Sequence, residues 1–417
     1  MLKKMNLMMS NLKTREGFTQ ALVFILMLSA YNIKHVASFI FMLLFFISLY
    51  TIAKPIYKIE LTKAEKYAFV FITIYFLWFI ITSLNAGWEY NDTKRLGSEI
   101  RFFLAIPIYI LFRQVKGVLL PLWYGVTFSL WLSFFIVIYQ VYILNIPAAG
   151  GYGKLLLGPM SVLYIFIFLS RKNWLINKKL MVFSVATVVV GCVAVVLSGA
   201  RTGYVMLLVL ALVWTAMNYN WRKQVLLVIC IFVIAGTLYF DSSIVKRGVN
   251  EAFNVVKNYS FTSKQSIDKN LGSTETRLEM IKAAYLITID NPIFGIGAGN
   301  FKKISKKYID KGLYHPGLQE FSHLHNIYAD NAAKKGVPGL VLTILMFFVP
   351  LWYFFKRKKE YYFPATLGFY YVAGEIIAGF TIVAPIERAN FIAISMIVLG
   401  VCFSELTRFA LSRKSIG

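Results

Sequence analysis

Apolar residues in this chain run continuously, in a way neither a half-buried strand nor a surface helix requires. Long, mostly apolar stretches recur near positions 18–32, 36–53, 67–84, 98–112, 118–144, 155–170, 180–198, 202–217, 224–240, 336–355, 362–384 and 390–410, and all but one of the intervening segments are short. A helix needs about 20 apolar residues to cross the hydrocarbon core of a bilayer. The pattern therefore predicts twelve membrane-spanning helices. The first apolar run follows a basic amino terminus with no small-residue cleavage pattern behind it, so it reads as an uncleaved span. The fold class expected is an all-α integral membrane protein of about 12 transmembrane helices. Residues 1–240 would carry spans one to nine, 241–335 one large, mostly helical loop, and 336–417 spans ten to twelve and a tail.

Charge sharpens this outline. Of the 44 Lys and Arg residues, 23 fall in alternate connections such as Lys54, Lys58, Lys63 and Lys66, or Lys356, Arg357, Lys358 and Lys359, whereas the short connections between them hold seven. Cytoplasmic loops carry the excess of basic residues, which places both termini inside and residues 241–335 outside. The net charge of +25 is thus topological and does not mark a nucleic-acid surface, and a composition 58% hydrophobic and 15% charged has lipid as its main solvent. Cys192, Cys230 and Cys402 all lie within apolar runs, so no disulfide framework or clustered zinc site is expected. Every connection on the inner side is too short to fold as a nucleotide-binding domain, and no Walker-type GxxxxGK[ST] occurs. Chemistry is therefore expected at the outer face.

Four segments could carry it. Ser198-Gly199-Ala200-Arg201 opens span eight, whose outward end combines unpaired N–H groups, the positive pole of the helix and a guanidinium. That suits phosphate, although an arginine that only snorkels to the interface would occupy the same place. Thr276-Arg277-Leu278-Glu279 has capping-box spacing and predicts a helix to about Ile289, with Arg277 in its first turn. Phe294-Gly295-Ile296-Gly297-Ala298-Gly299 looks like a dinucleotide fingerprint, but the fingerprint belongs to a βαβ unit, whereas here a helix is expected before the run and the protein is membranous. A tight turn or a close backbone approach is the expectation there. His323 and His325, in Ser322-His323-Leu324-His325-Asn326, lead back to the membrane, and an imidazole can take a proton from a hydroxyl near neutral pH. The outward basic residues Lys94, Arg95, Arg101 and Arg388 either contact substrate or meet lipid headgroups.

Taken together, these segments resemble the O-antigen ligase family, the bacterial enzymes that join O-antigen polysaccharide to the lipid A core, within a wider ligase and polymerase superfamily. The resemblance rests on the twelve-span plan with its long loop after span nine, Ser198 to Arg201, Arg277, Pro292 with Phe294 to Gly297, and His325-Asn326 followed by Gly336 and Gly339. It implies a GT-C-type membrane glycosyltransferase in the Gram-negative inner membrane, with a periplasmic active site and no cofactor or metal. Its donor would be O-antigen linked to undecaprenyl pyrophosphate, and its acceptor the lipid A core. By resemblance, Arg201 and Arg277 hold the pyrophosphate and His325 activates the acceptor hydroxyl, with His323, Asn326, Lys94, Arg95, Arg101 and Arg388 as substrate-binding candidates. An O-antigen polymerase is the nearest alternative. A lipid-sugar flippase or transporter is a further one, favoured only by Glu375 within a predicted span.

Overall fold

A computed structural model describes residues 14–56, 58–151, 153–171, 178–225, 228–229, 250, 253–257, 259, 272–383 and 388–414. Most of the expected ninth span, Cys230 and the basic residues up to Lys13 lie outside the described residues. The other eleven apolar runs each coincide with a helix: α1 (Arg15–Ser29), α2 (Val36–Ala53), α3 (Lys63–Asn85), α4 (Tyr90–Gln114), α5 (Leu119–Ile138), α6 (Lys154–Leu169), α7 (Lys178–Ser198), α8 (Arg201–Asn218), α11 (Ile327–Arg357), α12 (Tyr362–Gly379) and α13 (Ala389–Lys414). Between α8 and α11 lie α9 (Ser273–Asp290), α10 (Phe301–Asp310) and a 3-10 turn at Pro316–Glu320. No strand occurs among the described residues.

Helix ends extend past the apolar runs wherever the chain supplies a cap. At α3 the Thr62 hydroxyl accepts the Glu65 N–H and the Glu65 carboxylate accepts the Thr62 N–H. At α4 the Asp92 carboxylate accepts the Glu89 N–H at 3.0 Å, which starts that helix eight residues before the expected span. Seven helices are long and apolar enough to cross a membrane among the described residues: α2, α3, α5 with its π-helical extension to Ile143, α7, α8, α11 and α13. The chain is a multi-pass membrane protein.

The bundle is organised around α6 and α12. Along α6, Leu156, Leu157, Met160 and every residue from Val162 to Phe168 are buried, so the helix has no polar face to show water and none to show lipid. It packs on α5, α7, α8 and α12, while α12 also packs on α11 and α13. Peripheral helices do the opposite. Phe39, Phe46, Tyr67 and Val349 stand exposed on α2, α3 and α11, as a lipid-facing surface requires. At the bundle end near residue 60, Glu65 accepts from both Arg113 Nε and the Tyr109 hydroxyl at 2.6 Å, and the Arg408 guanidinium donates to the Val115 carbonyl at 2.8 Å. These arginines thus also cap and tie helices, beyond any effect on topology.

The segment from α9 to the start of α11 forms a second, smaller core of Met280, Ala283, Ile287, Ile296, Phe301, Leu318, Leu324 and Ala333. It sits on the opposite bundle end, the one bearing the α3–α4 and α7–α8 connections. Gly299 donates its N–H to the Asp92 carboxylate at 2.9 Å, and Lys303 pairs with Glu89 at 2.7 Å.

Candidate active site

The mouth of α8 is built by small residues. Gly199 turns the chain at φ +63°, and the Ser198 hydroxyl accepts the Ala200 N–H at 3.2 Å. Arg201 then begins the helix with its side chain exposed. A Cβ on Gly203 would lie 3.1 Å from the Gly158 backbone, so only two facing glycines let α8 and α6 cross this closely. Thr202 shares a 2.8 Å hydrogen bond with Thr381, just past the end of α12.

Arg277 reaches the same corner from α9. The expected capping box at Thr276–Glu279 is not the one used: α9 begins a turn earlier, where Glu275 accepts the Gly272 N–H at 2.9 Å. Arg277 is therefore in the second turn, not the first. Glu279 is fully buried elsewhere, accepting from the Tyr259 hydroxyl at 2.6 Å and the His315 N–H at 3.2 Å, so it cannot cap. Burial, and next the positive charge of Arg201, hold the Arg277 guanidinium below the usual arginine range. Among the described residues neither arginine makes a hydrogen bond or ion pair through its side chain. Two like charges kept close without a carboxylate form a site that an anion would relieve.

His325 arrives through α11. Asn326 caps that helix, its carboxamide oxygen accepting the Tyr328 and Ala329 N–H groups at 3.0 Å, while its nitrogen donates to the Phe380 carbonyl at 3.2 Å. These bonds commit Asn326 to structure, which accounts for its place beside the histidine without a ligand. The Thr202–Thr381 and Asn326–Phe380 bonds meet at adjacent residues, and so tie the mouth of α8 to the turn carrying His325. Held at φ +47°, His325 packs its ring on His323 at 4.5 Å and on Phe321 at 5.7 Å.

The glycine-rich run is a docking strip. The N–H groups of Gly295, Ile296, Gly297 and Gly299 donate to Asn291, Ala333, Lys334 and Asp92, leaving none of the four to cradle phosphate. The strip seats against a break in α11 at Gly336, whose φ of +69° interrupts the helix. A Cβ there would stand 2.1 Å from the Ile293 carbonyl oxygen, and one on Gly295 2.4 Å from the Lys334 backbone. The expectation of a close backbone approach is met, with backbone as the partner.

Beside the histidines opens a cleft of about 370 Å³. Lys94, Arg95 and Arg388, three of the outward basic residues singled out in the sequence, line it together with His323. Lys302 joins them and had not been singled out; its signal is the Lys302, Lys303, Lys306, Lys307 spacing, which puts lysines along one side of α10. Among the described residues no carboxylate lines the cleft. Arg101 does not reach it: this residue lies further along α4, where one terminal nitrogen donates to the Gly97 carbonyl at 3.2 Å and Nε is buried without a partner.

Residues 186–344 match the family model described as O-antigen ligase, a stretch that contains Arg201, Arg277, His323, His325 and Gly336. A Haemophilus influenzae protein described as uncharacterized is 23% identical over 312 residues, covering 72% of this chain and 75% of its own length.

Proposed function

From the O-antigen ligase match across residues 186–344, we propose that the chain is a membrane glycosyltransferase. It moves O-antigen polysaccharide from undecaprenyl pyrophosphate to a sugar hydroxyl of the lipid A core. In this reading twelve spans form a GT-C-type bundle in the Gram-negative inner membrane, with both termini cytoplasmic and residues 241–335 in the periplasm. The observation that carries it is the Arg201–Arg277 pair, near enough for one charge to act on the other and without an acidic partner among the described residues.

The acceptor hydroxyl gives its proton to the His325 imidazole, and its oxygen attacks the anomeric carbon from the side opposite the leaving group. The bond from that carbon to the pyrophosphate oxygen breaks, and the lipid pyrophosphate departs with the electron pair, inverting the anomeric centre. Arg201 and Arg277 stabilise the charge that accumulates on it, which replaces a metal in this role. Lys94, Arg95, Lys302, Arg388 and His323 line a cationic cleft suited to the phosphates of the acceptor. Glu375, the residue that favoured transport, has apolar neighbours in Leu156, Pro159, Met160, Leu163 and Ile382, which suits a helix contact better than an ion path.

Lipopolysaccharide from a deletion strain tests the reading on a gel. Loss of a ligase leaves bare core while long chains accumulate on the carrier lipid. Core capped with a single repeat unit would instead assign the chain as an O-antigen polymerase.

A further inference from the structure

The first turns of α11 contain a buried ion pair that the chemistry above does not use. Asp330 and Lys334 are each 2% exposed, one helical turn apart, with the Lys334 ammonium 2.7 Å from both carboxylate oxygens. An i,i+4 pair inside a helix needs no burial to form, and burying one is a poor way to gain stability. Two further hydrogen bonds of the pair leave the helix for a loop. Asp330 Oδ1 accepts the Leu324 N–H at 3.0 Å, and Lys334 Nζ donates to the Ser322 carbonyl at 3.3 Å. These two anchors fall on either side of His323, and Leu324 immediately precedes His325.

His325 is one of three non-glycine residues with positive φ among the described residues. Such a conformation persists only where the surroundings over-determine it. Here it is pinned before by Leu324 on Asp330 and after by Asn326, which caps the helix and holds Phe380. The next lysine shows what the alternative looks like. Lys335 pairs with Glu99 at 2.7 Å and touches the Tyr75 hydroxyl at 3.3 Å, so it anchors α11 to α3 and α4 and leaves the loop alone.

We infer that the buried Asp330–Lys334 pair is the positioning device of the histidine loop, fixing the backbone that carries the His325 imidazole. The inference rests on the proposed role of His325 for its catalytic consequence, but its structural content is independent of that role. Asp330 and Lys334 are positioning residues: they hold the loop backbone and touch no substrate.

The test uses the full chain, purified in detergent. The double variant D330N/K334M removes both charges without leaving either one unpaired and keeps side-chain volume. Asp330→Asn alone, which still offers an oxygen to Leu324, is the milder companion if the double variant does not fold. Carbethoxylation of His323 and His325 by diethyl pyrocarbonate is followed by peptide mass spectrometry, with His35 in the α1–α2 connection as internal reference. Expected for the double variant is labelling of His325 several-fold faster relative to His35, with kcat for glycan transfer lowered by about a hundredfold at unchanged donor KM. Asp330→Asn lies between it and the wild type. The variant Glu99→Gln/Lys335→Met leaves His325 labelling at the wild-type rate. Unchanged labelling in D330N/K334M or, failing that, in Asp330→Asn overturns the inference. If His325→Ala transfers glycan like the wild type while labelling still responds to the ion pair, the proposed function fails and the positioning device stands.

Discussion

At the level of single residues, the three side chains proposed to carry catalysis stand out in the sequence for unequal reasons. Arg201 follows a small-residue step at the head of an apolar run, and the helix does start there. Arg277 was singled out through a capping box that the chain does not use. Two overlapping Glu signals sit one turn apart, and the second fails because Glu279 is taken by Tyr259 and His315, contacts that no local pattern encodes. What makes Arg277 distinctive is its proximity to Arg201, a residue 76 positions earlier, which lowers its proton affinity further after burial has done so. A guanidinium does not shed its proton in proteins, so the strain is relieved by an anion and not by deprotonation. Inorganic pyrophosphate should therefore stabilise the purified protein, by about 2.7 kcal/mol at a hundred times its Kd. Thermal unfolding should show that shift in the wild type and lose it in Arg201→Ala/Arg277→Ala.

Among the elements, α11 was the least legible. Its polar first turns, with Asp330, Asn331, Lys334 and Lys335, read as loop ahead of a span beginning at Gly336, yet the helix begins at Ile327 and only breaks at Gly336. Hydropathy sees charge and assigns solvent. The chain instead buries those charges in pairs with one another and with Glu99. The break is what receives the glycine-rich strip, so Gly336→Ala must both force a positive φ on alanine and place a methyl 2.1 Å from the Ile293 carbonyl oxygen. Strain of this kind costs about 1–3 kcal/mol before the clash is counted. The variant should expose the segment between α9 and α11 to limited proteolysis while the membrane helices stay protected. Proteolysis at the wild-type rate would remove the docking argument. The gathering of Lys94, Arg95, Lys302 and Arg388 into one cleft depends on this docking as well, since Lys302 is brought to α4 only when α10 sits on the α3–α4 corner.

Across the whole molecule, apolar run length carried most of the information, because a lipid solvent leaves the backbone no choice but helix. Among the described residues eleven of the twelve expected runs are helices, the ninth lying mostly outside them, and seven satisfy length and hydropathy together. The other four fall short for visible reasons: α1 and α6 have 15 and 16 residues, α4 begins with a charged stretch that caps it and receives the loop, and α12 has 18 residues diluted by Glu375, tyrosines and glycines. The proposed orientation rests on the alternation of Lys and Arg, and it is testable in whole cells. Cysteine at Lys302 should react with a membrane-impermeant maleimide from outside, and cysteine at Lys179 only after the cells are opened; the reverse pattern would invert the topology. The central claim, that two arginines and a histidine transfer glycan from a lipid pyrophosphate without a metal, meets its most direct test in a purified system. Wild type, Arg277→Ala and Arg277→Lys would be given lipid-pyrophosphate-linked glycan and lipid A core in the presence of a chelator, and product followed by mass. The account predicts inverted product from the wild type, a rate lower by about 10²–10³-fold in Arg277→Ala and partial recovery with lysine, which keeps charge but not the fork. Wild-type transfer that stops on chelation, or Arg277→Ala as fast as the wild type, would contradict it.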